Sequence, residues 1–167
     1  YPSYRQILKS LSINPVGLPT SKDNRHIPKL EGQNLNGAII ASPANPTGSI
    51  LSKGTLTSLI NECVDQKISF ISDEIYHGLQ YNVPCTSALE ISDEVYVINS
   101  FSKYFSMTGW RIGWMIVPHG HVRLIERLAQ NLFICAPHAS QIAALGALES
   151  IDEAETLKGV YKVNRDL

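Results

Sequence analysis

The sequence predicts an α/β fold with a largely parallel sheet. Short apolar runs bounded by turn residues indicate buried strands, and amphipathic stretches between them indicate helices. A strand, a helix and a strand follow one another in the middle of the chain, the order typical of a βαβ unit. The 167 residues are enough for about one domain of ordinary size.

The first half of the chain contains this unit. Residues 5–11 have the pattern of the end of a short helix. Residues 37–42 are an apolar run between turn signals, which indicates a buried strand. Ser52 is a suitable N-cap for a helix to about residue 67, with apolar side chains on one face. Residues 68–72 form the next apolar run, so the crossover predicts two parallel strands.

The second half continues the alternation of strands and helices. Residues 94–99 and 111–117 are the third and fourth predicted strands, and an amphipathic helix is predicted at 121–134. Residues 140–148 are almost wholly apolar, so we expect a helix that is buried on all sides. Residues 153–167 show a charged helical pattern.

Charge and cysteine content exclude several classes of protein. Lys and Arg number 14 and Asp and Glu number 15, so no basic surface for nucleic acid is expected. Charged residues are 17% of the chain, below the roughly 25% that is usual, which indicates surface covered by a partner subunit or a missing neighbour. Without a long apolar run or a signal peptide, no membrane contact is expected. Cys63, Cys85 and Cys135 are too widely spaced for a metal pattern or a disulfide scaffold, which indicates reduced thiols and a cytoplasmic location.

Polar motifs follow three of the predicted strands at their carboxyl ends, where ligands bind in open α/β sheets. NPTG (residues 45–48) follows the first strand, DEIY (73–76) the second, and SFSKYFSMTGWRIGW (100–114) begins at the end of the third. Each motif alone is a weak signal, but their order and shared position make the combination specific. Adjacent strand residues point to opposite faces, so only one of Asp73 and Glu74 can face this site, and we expect it to be Asp73.

These motifs closely resemble those of the fold-type I, pyridoxal-phosphate-dependent aminotransferases of class I/II, the aspartate aminotransferase-like superfamily. The resemblance runs from Tyr1 to about Leu167 and is densest at residues 100–114, where the spacing from lysine to arginine and the Gly-Trp-Arg-x-Gly sequence both match. It implies a three-layer α/β/α fold with a mostly parallel sheet. Residues 1–150 would form part of the family's large, cofactor-binding domain, and residues 151–167 would start the helix that leads to its small domain.

The resemblance implies catalytic roles for three residues. Lys103 would form an imine with the aldehyde of pyridoxal 5'-phosphate and then carry a proton between the substrate Cα and the cofactor. Asp73 would keep the pyridine nitrogen protonated, so that the ring can act as an electron sink. Tyr76, together with Asn45, would donate hydrogen bonds to the ring 3′-oxygen.

Further cofactor ligands are implied around the phosphate and the ring face. Arg111 matches the family's phosphate ligand, since its fork of N–H donors suits phosphate oxygens. Ser100 matches a hydroxyl ligand, and Ser102 is a second candidate for which a turn-stabilising hydroxyl is the alternative. Tyr1 falls where the family has an aromatic residue that stacks on the ring, the alternative being a chain end without a role. No metal site is expected.

The family's chain is more than twice as long, so we expect this chain to be a fragment. It lacks the family's Gly/Ser/Thr-rich phosphate-binding turn and the small-domain arginine that binds the substrate α-carboxylate. We therefore expect the isolated 167-residue chain to be a poor catalyst.

The implied activity is ping-pong transamination between an amino acid and a 2-oxo acid, by a homodimer that serves amino-acid metabolism and biosynthesis. The alternatives on the same fold are a carbon–sulfur β-lyase, an aminocyclopropane-carboxylate synthase and the aminotransferase-like effector domain of a transcription regulator. Tyr76 and residues 109–111 favour the aminotransferase over the lyase, whereas only sequence upstream of Tyr1 would separate the regulator. Aspartate, alanine, aromatic and branched-chain donors all stay open.

Overall fold

The computed structural model of the protein describes residues 1–32 and 34–167. The strands are β1 (Gly37–Ala41), β2 (Ser69–Asp73), β3 (Tyr96–Ser100) and β4 (Gly113–Ile116). The α-helices are α1 (Pro2–Ser10), α2 (Lys53–Asp65), α3 (Val122–Leu132), α4 (His138–Glu149) and α5 (Ile151–Asp166). Short 3₁₀ helices occupy Ala88–Glu90, Thr108–Trp110 and His119–His121.

The four strands form one mixed sheet in the order β1-β2-β3-β4. β1, β2 and β3 are parallel, with Ala41 opposite Asp73 and Asp73 opposite Ile98. β4 runs antiparallel to β3, with Gly113 opposite Ser100. The prediction of a largely parallel sheet is confirmed, and β4 reverses direction because residues 101–112 return the chain without a crossover helix.

Helix α2 begins where the sequence predicts and ends slightly earlier. The Oγ of Ser52 accepts a hydrogen bond from the backbone N–H of Thr55 at 3.2 Å, which caps the first turn. The helix ends at Asp65, because Lys67 takes a left-handed φ of 58° and the chain turns into β2.

The main core lies between α2 and one face of the sheet. Alternate strand residues face the helix, as the period of two requires, and each fully buried large apolar side chain contributes about 1.5–3 kcal/mol. The buried members are Leu30, Ala38, Ile40, Leu51, Leu56, Leu59, Ile60, Cys63, Ile68, Phe70, Ala88, Val95 and Val97. On the other face, Ile39 and Ile71 line a cleft together with Tyr4 and Leu8 of α1, which gives the expected layers on both sides of the sheet.

The three C-terminal helices expose much of their apolar surface. A small second cluster joins α4 to the loop after β3 through Phe101, Met107 and Ala144. Contrary to the expectation of burial on all sides, Ile142 and Leu145 are 55% and 59% exposed. The apolar sequence of α4 is therefore satisfied by packing on one side only within this chain. Across the described ranges 1–32 and 34–167, no helix is long and apolar enough to cross a membrane.

Gly113 offers a direct test of the β3–β4 pairing. A Cβ at this position would lie 2.6 Å from the carbonyl oxygen of Asn99, closer than van der Waals contact allows. We expect Gly113→Ala to lower the free energy of unfolding of the full-length protein by about 1–3 kcal/mol through overpacking, measured by urea denaturation.

The matched control is Gly54→Ala in α2. No heavy atom of the described residues, other than its own helix backbone and chain neighbours, lies within 4 Å of the added Cβ, so this change should stabilise the helix by about 0.5–1 kcal/mol. Equal effects of the two substitutions would contradict the close approach at Gly113.

Candidate active site

The carboxyl ends of β1, β2 and β3 lie at one edge of the sheet and carry the three polar motifs. Parallel pairing produces this arrangement, because all three strands then end on the same side. Ala41 and Asp73, the last residues of β1 and β2, are direct neighbours in the ladder. The motifs that are far apart in sequence thus meet in space.

The NPTG and DEIY motifs meet through two side chains. Asn45 Nδ2 donates a hydrogen bond to the Tyr76 hydroxyl at 3.3 Å. The loop that carries Asn45 is closed by the backbone N–H of Ala44, which donates to the carbonyl oxygen of Ser49 at 3.0 Å. Gly48 provides the left-handed turn with a φ of 67°. An amide and a phenol therefore face the same space at this edge.

Asp73 is held from two directions. Its Oδ1 accepts the backbone N–H of Ile75 at 3.1 Å, and its Oδ2 accepts a hydrogen bond from the hydroxyl of Tyr4 on α1. Burial, together with this bond to the negative carboxylate, raises the pKa of Tyr4 above its usual range. Tyr4 thus acts as a donor that fixes the Asp73 carboxylate.

Tyr4 is a residue of the site that sequence reasoning missed. It lies three residues after Tyr1, at the start of α1, but no local pattern indicates that its hydroxyl reaches Asp73. The two rings pack edge to face with centroids 5.6 Å apart. Tyr1 itself is 59% exposed, and its contact with Tyr4 places it next to the partner of Asp73.

Lys103 lies in the loop after β3, and its Nζ is 5.7 Å from the centroid of the Tyr76 ring. The loop is shaped by backbone hydrogen bonds from Met107 to Phe101 at 3.0 Å and from Ser106 to Lys103 at 3.0 Å. Phe101 is buried and anchors the loop to the fold. The amine therefore reaches the edge at which Asn45 and Tyr76 meet.

Ser100, Ser102 and Arg111 belong to a connected polar group at the end of β3. The two serine Oγ atoms lie 2.9 Å apart, and Ser100 Oγ donates to the carbonyl oxygen of Ile112 at 3.1 Å. Thr108 Oγ1 donates to the carbonyl oxygen of Ser102 at 2.6 Å, while Arg111 Nη1 donates to the carbonyl oxygen of Thr108 at 2.8 Å.

The backbone at Arg111 is unusual for a residue with a side chain. Its φ of 52° lies in the left-handed region, where non-glycine residues are uncommon. This conformation ends the 3₁₀ helix Thr108–Trp110 and starts the return into β4. The residue is exposed, and among the described residues its guanidinium donates only to the carbonyl oxygen of Thr108, which leaves further N–H donors for an anion.

Glu74 faces away from the site, as the alternation of strand residues predicts. It is 3% exposed and accepts hydrogen bonds from Ser72 Oγ at 2.9 Å and the backbone N–H of Ala88 at 2.8 Å. Asp73 and Glu74 are therefore adjacent in sequence but occupy different environments.

A family model described as aminotransferase class I and II matches residues 1–165 of the chain. The chain belongs to the class I and II aminotransferases. It is 41% identical over 176 aligned positions to a valine–pyruvate aminotransferase of Mycobacterium tuberculosis, with 100% of this chain and 45% of the relative covered. The chain thus spans about half the length of the curated relatives it matches.

Solved structures agree with this membership. The crystal structure of an aminotransferase from Mycobacterium tuberculosis matches with a TM-score of 0.94 and 40% identity, covering 99% of this chain and 48% of that one. A tetra mutant of Thermus thermophilus aspartate aminotransferase matches with a TM-score of 0.91 and 25% identity, covering 99% and 49%. These aminotransferases do not favour the lyase, synthase or regulator alternatives.

The family uses pyridoxal phosphate, and the donors at this edge fit that group. A carboxylate suits a protonated ring nitrogen, an amide–phenol pair suits a ring oxygen, and an amine suits an aldehyde. Asp73, the Asn45–Tyr76 pair and Lys103 supply these groups at one edge. The hydroxyls of Ser100 and Ser102 and the guanidinium of Arg111 are of the type that binds phosphate oxygens.

The bond between Tyr4 and Asp73 predicts a stability effect that depends on pH. Tyr4→Phe removes the hydroxyl, and we expect a loss of about 1 kcal/mol at pH 7, below the usual range for a charge-assisted bond because the side chain is only half-buried. Since the folded state raises the pKa of Tyr4, this stabilisation is complete below the ordinary tyrosine pKa near 10 and is lost as the pH rises above it.

The measurement is the urea midpoint of the full-length apo protein at pH 7 to 11, wild type against Tyr4→Phe. Tyr81→Phe is the control, because no hydrogen bond from the Tyr81 hydroxyl occurs among the described residues. A difference between wild type and Tyr4→Phe that stays constant above pH 10 would contradict the assignment.

Proposed function

We propose that the protein is a pyridoxal-phosphate-dependent aminotransferase that moves an amino group between an amino acid and a 2-oxo acid. The observation that carries the proposal is the meeting of the Asp73 carboxylate, the Asn45–Tyr76 pair and the Lys103 amine at one sheet edge. Pyridoxal phosphate, when bound, supplies an aldehyde that reacts with amines and a ring that accepts electrons from the substrate Cα.

The site residues of the chain have separate proposed roles in this reaction. Lys103 Nζ would hold the cofactor through its aldehyde. Once the substrate amine had displaced it, the freed amine would take a proton from the substrate Cα and return it to the neighbouring cofactor carbon. Asp73, whose position is fixed by Tyr4, would hold the proton of the ring nitrogen. Asn45 and Tyr76, which are hydrogen-bonded to each other, would donate to the ring oxygen.

Binding of the phosphate is proposed for the group at the end of β3. Arg111 provides charge, and Ser100 and Ser102 provide hydroxyls 2.9 Å apart. Ser102 is buried and bonded within the loop, so it has a turn-stabilising role beside any contact with phosphate. Tyr1 is proposed to cover one ring face, which its contact with Tyr4 supports.

The working protein is proposed to be a homodimer. Exposed apolar side chains on the C-terminal helices support it, since contiguous apolar surface marks an interaction site; Leu128, Leu132 and Leu145 are 55%, 66% and 59% exposed. Sedimentation of the full-length protein measures this state.

Helix α5 (Ile151–Asp166) is proposed to lead to a second domain. A cytoplasmic location and a role in amino-acid biosynthesis complete the proposal, and the three free thiols support a reducing compartment.

Lys103→Ala tests the proposed function directly. Without the amine we expect no cofactor fixed to the full-length protein by borohydride reduction and no turnover with a panel of amino donors and 2-oxoglutarate. Lys53→Ala is the control, since this exposed lysine pairs with Glu90 away from the site. A normal yield of reduced adduct in Lys103→Ala would refute the assignment.

Asp73→Asn tests the carboxylate at the ring nitrogen. We expect the fold to be kept and the rate of transamination to fall on the order of 10³-fold, equivalent to about 4 kcal/mol of barrier, because the amide no longer holds the ring proton. A cofactor analogue with a fixed positive charge on the ring nitrogen should restore part of the rate. An unchanged rate in stopped-flow half-reactions would show that Asp73 has no such role.

A further inference from the structure

Glu74 lies at the centre of a buried hydrogen-bond group that the proposed reaction does not use. The side chain is 3% exposed, and its Oε1 accepts hydrogen bonds from Ser72 Oγ at 2.9 Å and from the backbone N–H of Ala88 at 2.8 Å. These bonds offset the cost of burying a carboxylate. They also fix Glu74 from two sides, to strand β2 and to the 3₁₀ helix Ala88–Glu90.

His77 extends this group to the loop that carries Asn45. Its Nδ1 lies 3.5 Å from Glu74 Oε2, and its Nε2 lies 3.0 Å from the carbonyl oxygen of Ser42. A carbonyl oxygen only accepts, so Nε2 carries a hydrogen and donates it. Nδ1 pairs with the Glu74 carboxylate only when it carries a hydrogen as well, whereas the backbone N–H of His77 donates to the carbonyl oxygen of Glu74 at 2.9 Å in either state. The imidazole therefore joins the DEIY turn to the residue at which the NPTG loop leaves β1.

Each of the two joined segments has its own internal hydrogen bonds. In the loop, the backbone N–H of Leu51 donates to Ser42 Oγ at 3.0 Å. In the turn, the backbone N–H of Leu79 donates to the carbonyl oxygen of Tyr76 at 3.1 Å. Because each segment is closed on itself, the separation of Asn45 and Tyr76 depends on the contacts between the two segments. These include the bond from His77 to Ser42 and the backbone N–H of Ser42, which donates to the carbonyl oxygen of Asp73 at 3.2 Å.

We propose that Glu74 and His77 form a brace that sets the position of the Asn45–Tyr76 pair, so that His77 is a positioning residue for the two donors to the cofactor ring oxygen. The role toward the cofactor rests on the proposed function. The effect on the loop does not, because the contacts from Glu74 through His77 to Ser42 exist in the chain itself.

Three variants of His77 in the full-length protein test the brace. His77→Leu removes the donor, and His77→Asn carries an amide too short to reach the Ser42 carbonyl. His77→Gln places an amide N–H at the reach of Nε2. His121→Leu is the matched control, since this exposed histidine bonds to Tyr96 at the amino end of β3.

The first readout uses the apo protein. Hydrogen exchange of the backbone amides at residues 44–49 should become about tenfold faster in the Leu and Asn variants, equivalent to about 1.4 kcal/mol. The Gln variant and His121→Leu should exchange at the wild-type rate. This measurement tests the brace whether or not the protein binds pyridoxal phosphate.

The second readout uses added pyridoxal 5'-phosphate. The Leu and Asn variants should bind it about tenfold more weakly, and the pH midpoint of the bound cofactor's absorbance should rise, because poorly placed donors stabilise a negative ring oxygen less well. His77→Gln should restore both values. The brace is overturned if His77→Asn shows the wild-type exchange rate, cofactor affinity and pH midpoint. If His77→Leu does not fold, the brace is overturned when His77→Asn and His77→Gln give equal exchange rates and equal cofactor affinities. A wild-type protein that binds no cofactor refutes the proposed function instead.

Discussion

The parallel pairing of β1, β2 and β3 is the constraint on which the candidate site depends. It brings the ends of three strands to one edge, so that loops starting at residues 42, 74 and 101 share a small space. The buried contacts of α2 against the sheet hold this pairing in register. A slip of one residue would turn the Asp73 carboxylate into the core and bring the Glu74 carboxylate to the site.

Asp73 and Glu74 show how one dipeptide serves two purposes. The Asp73 carboxylate accepts hydrogen bonds from the Tyr4 hydroxyl and the backbone N–H of Ile75, and its other lone pairs are left for a ligand. The buried Glu74 carboxylate accepts hydrogen bonds from the Ser72 hydroxyl and the backbone N–H of Ala88, and lies 3.5 Å from the Nδ1 of His77. The first arrangement leaves a charge available to a ligand, while the second uses a charge to hold loops together.

The apolar surface of the chain lies mostly on its C-terminal half. Trp114, Met115 and Ile116 of β4 are 38%, 48% and 40% exposed, and α3 has no buried residue. These elements follow the site in sequence and return the chain from it. This apolar surface therefore has room for contacts with other parts of the protein or with a partner, which agrees with the low content of charged residues.

The elements can be predicted from the sequence because they depend on local signals, and the candidate site residues follow from motifs that resemble those of the family. The Ser52 cap, the apolar runs of β1 and β2 and the motifs after them can be read from neighbouring residues. The contacts of Tyr4 with Asp73 and of His77 with Ser42 join residues 69 and 35 positions apart, and no local pattern encodes them. The exposure of α4 likewise depends on tertiary structure. The apolar sequence of the helix shows which side chains can be buried, but the elements packed against it determine that only Ser140 and Ala144 are buried.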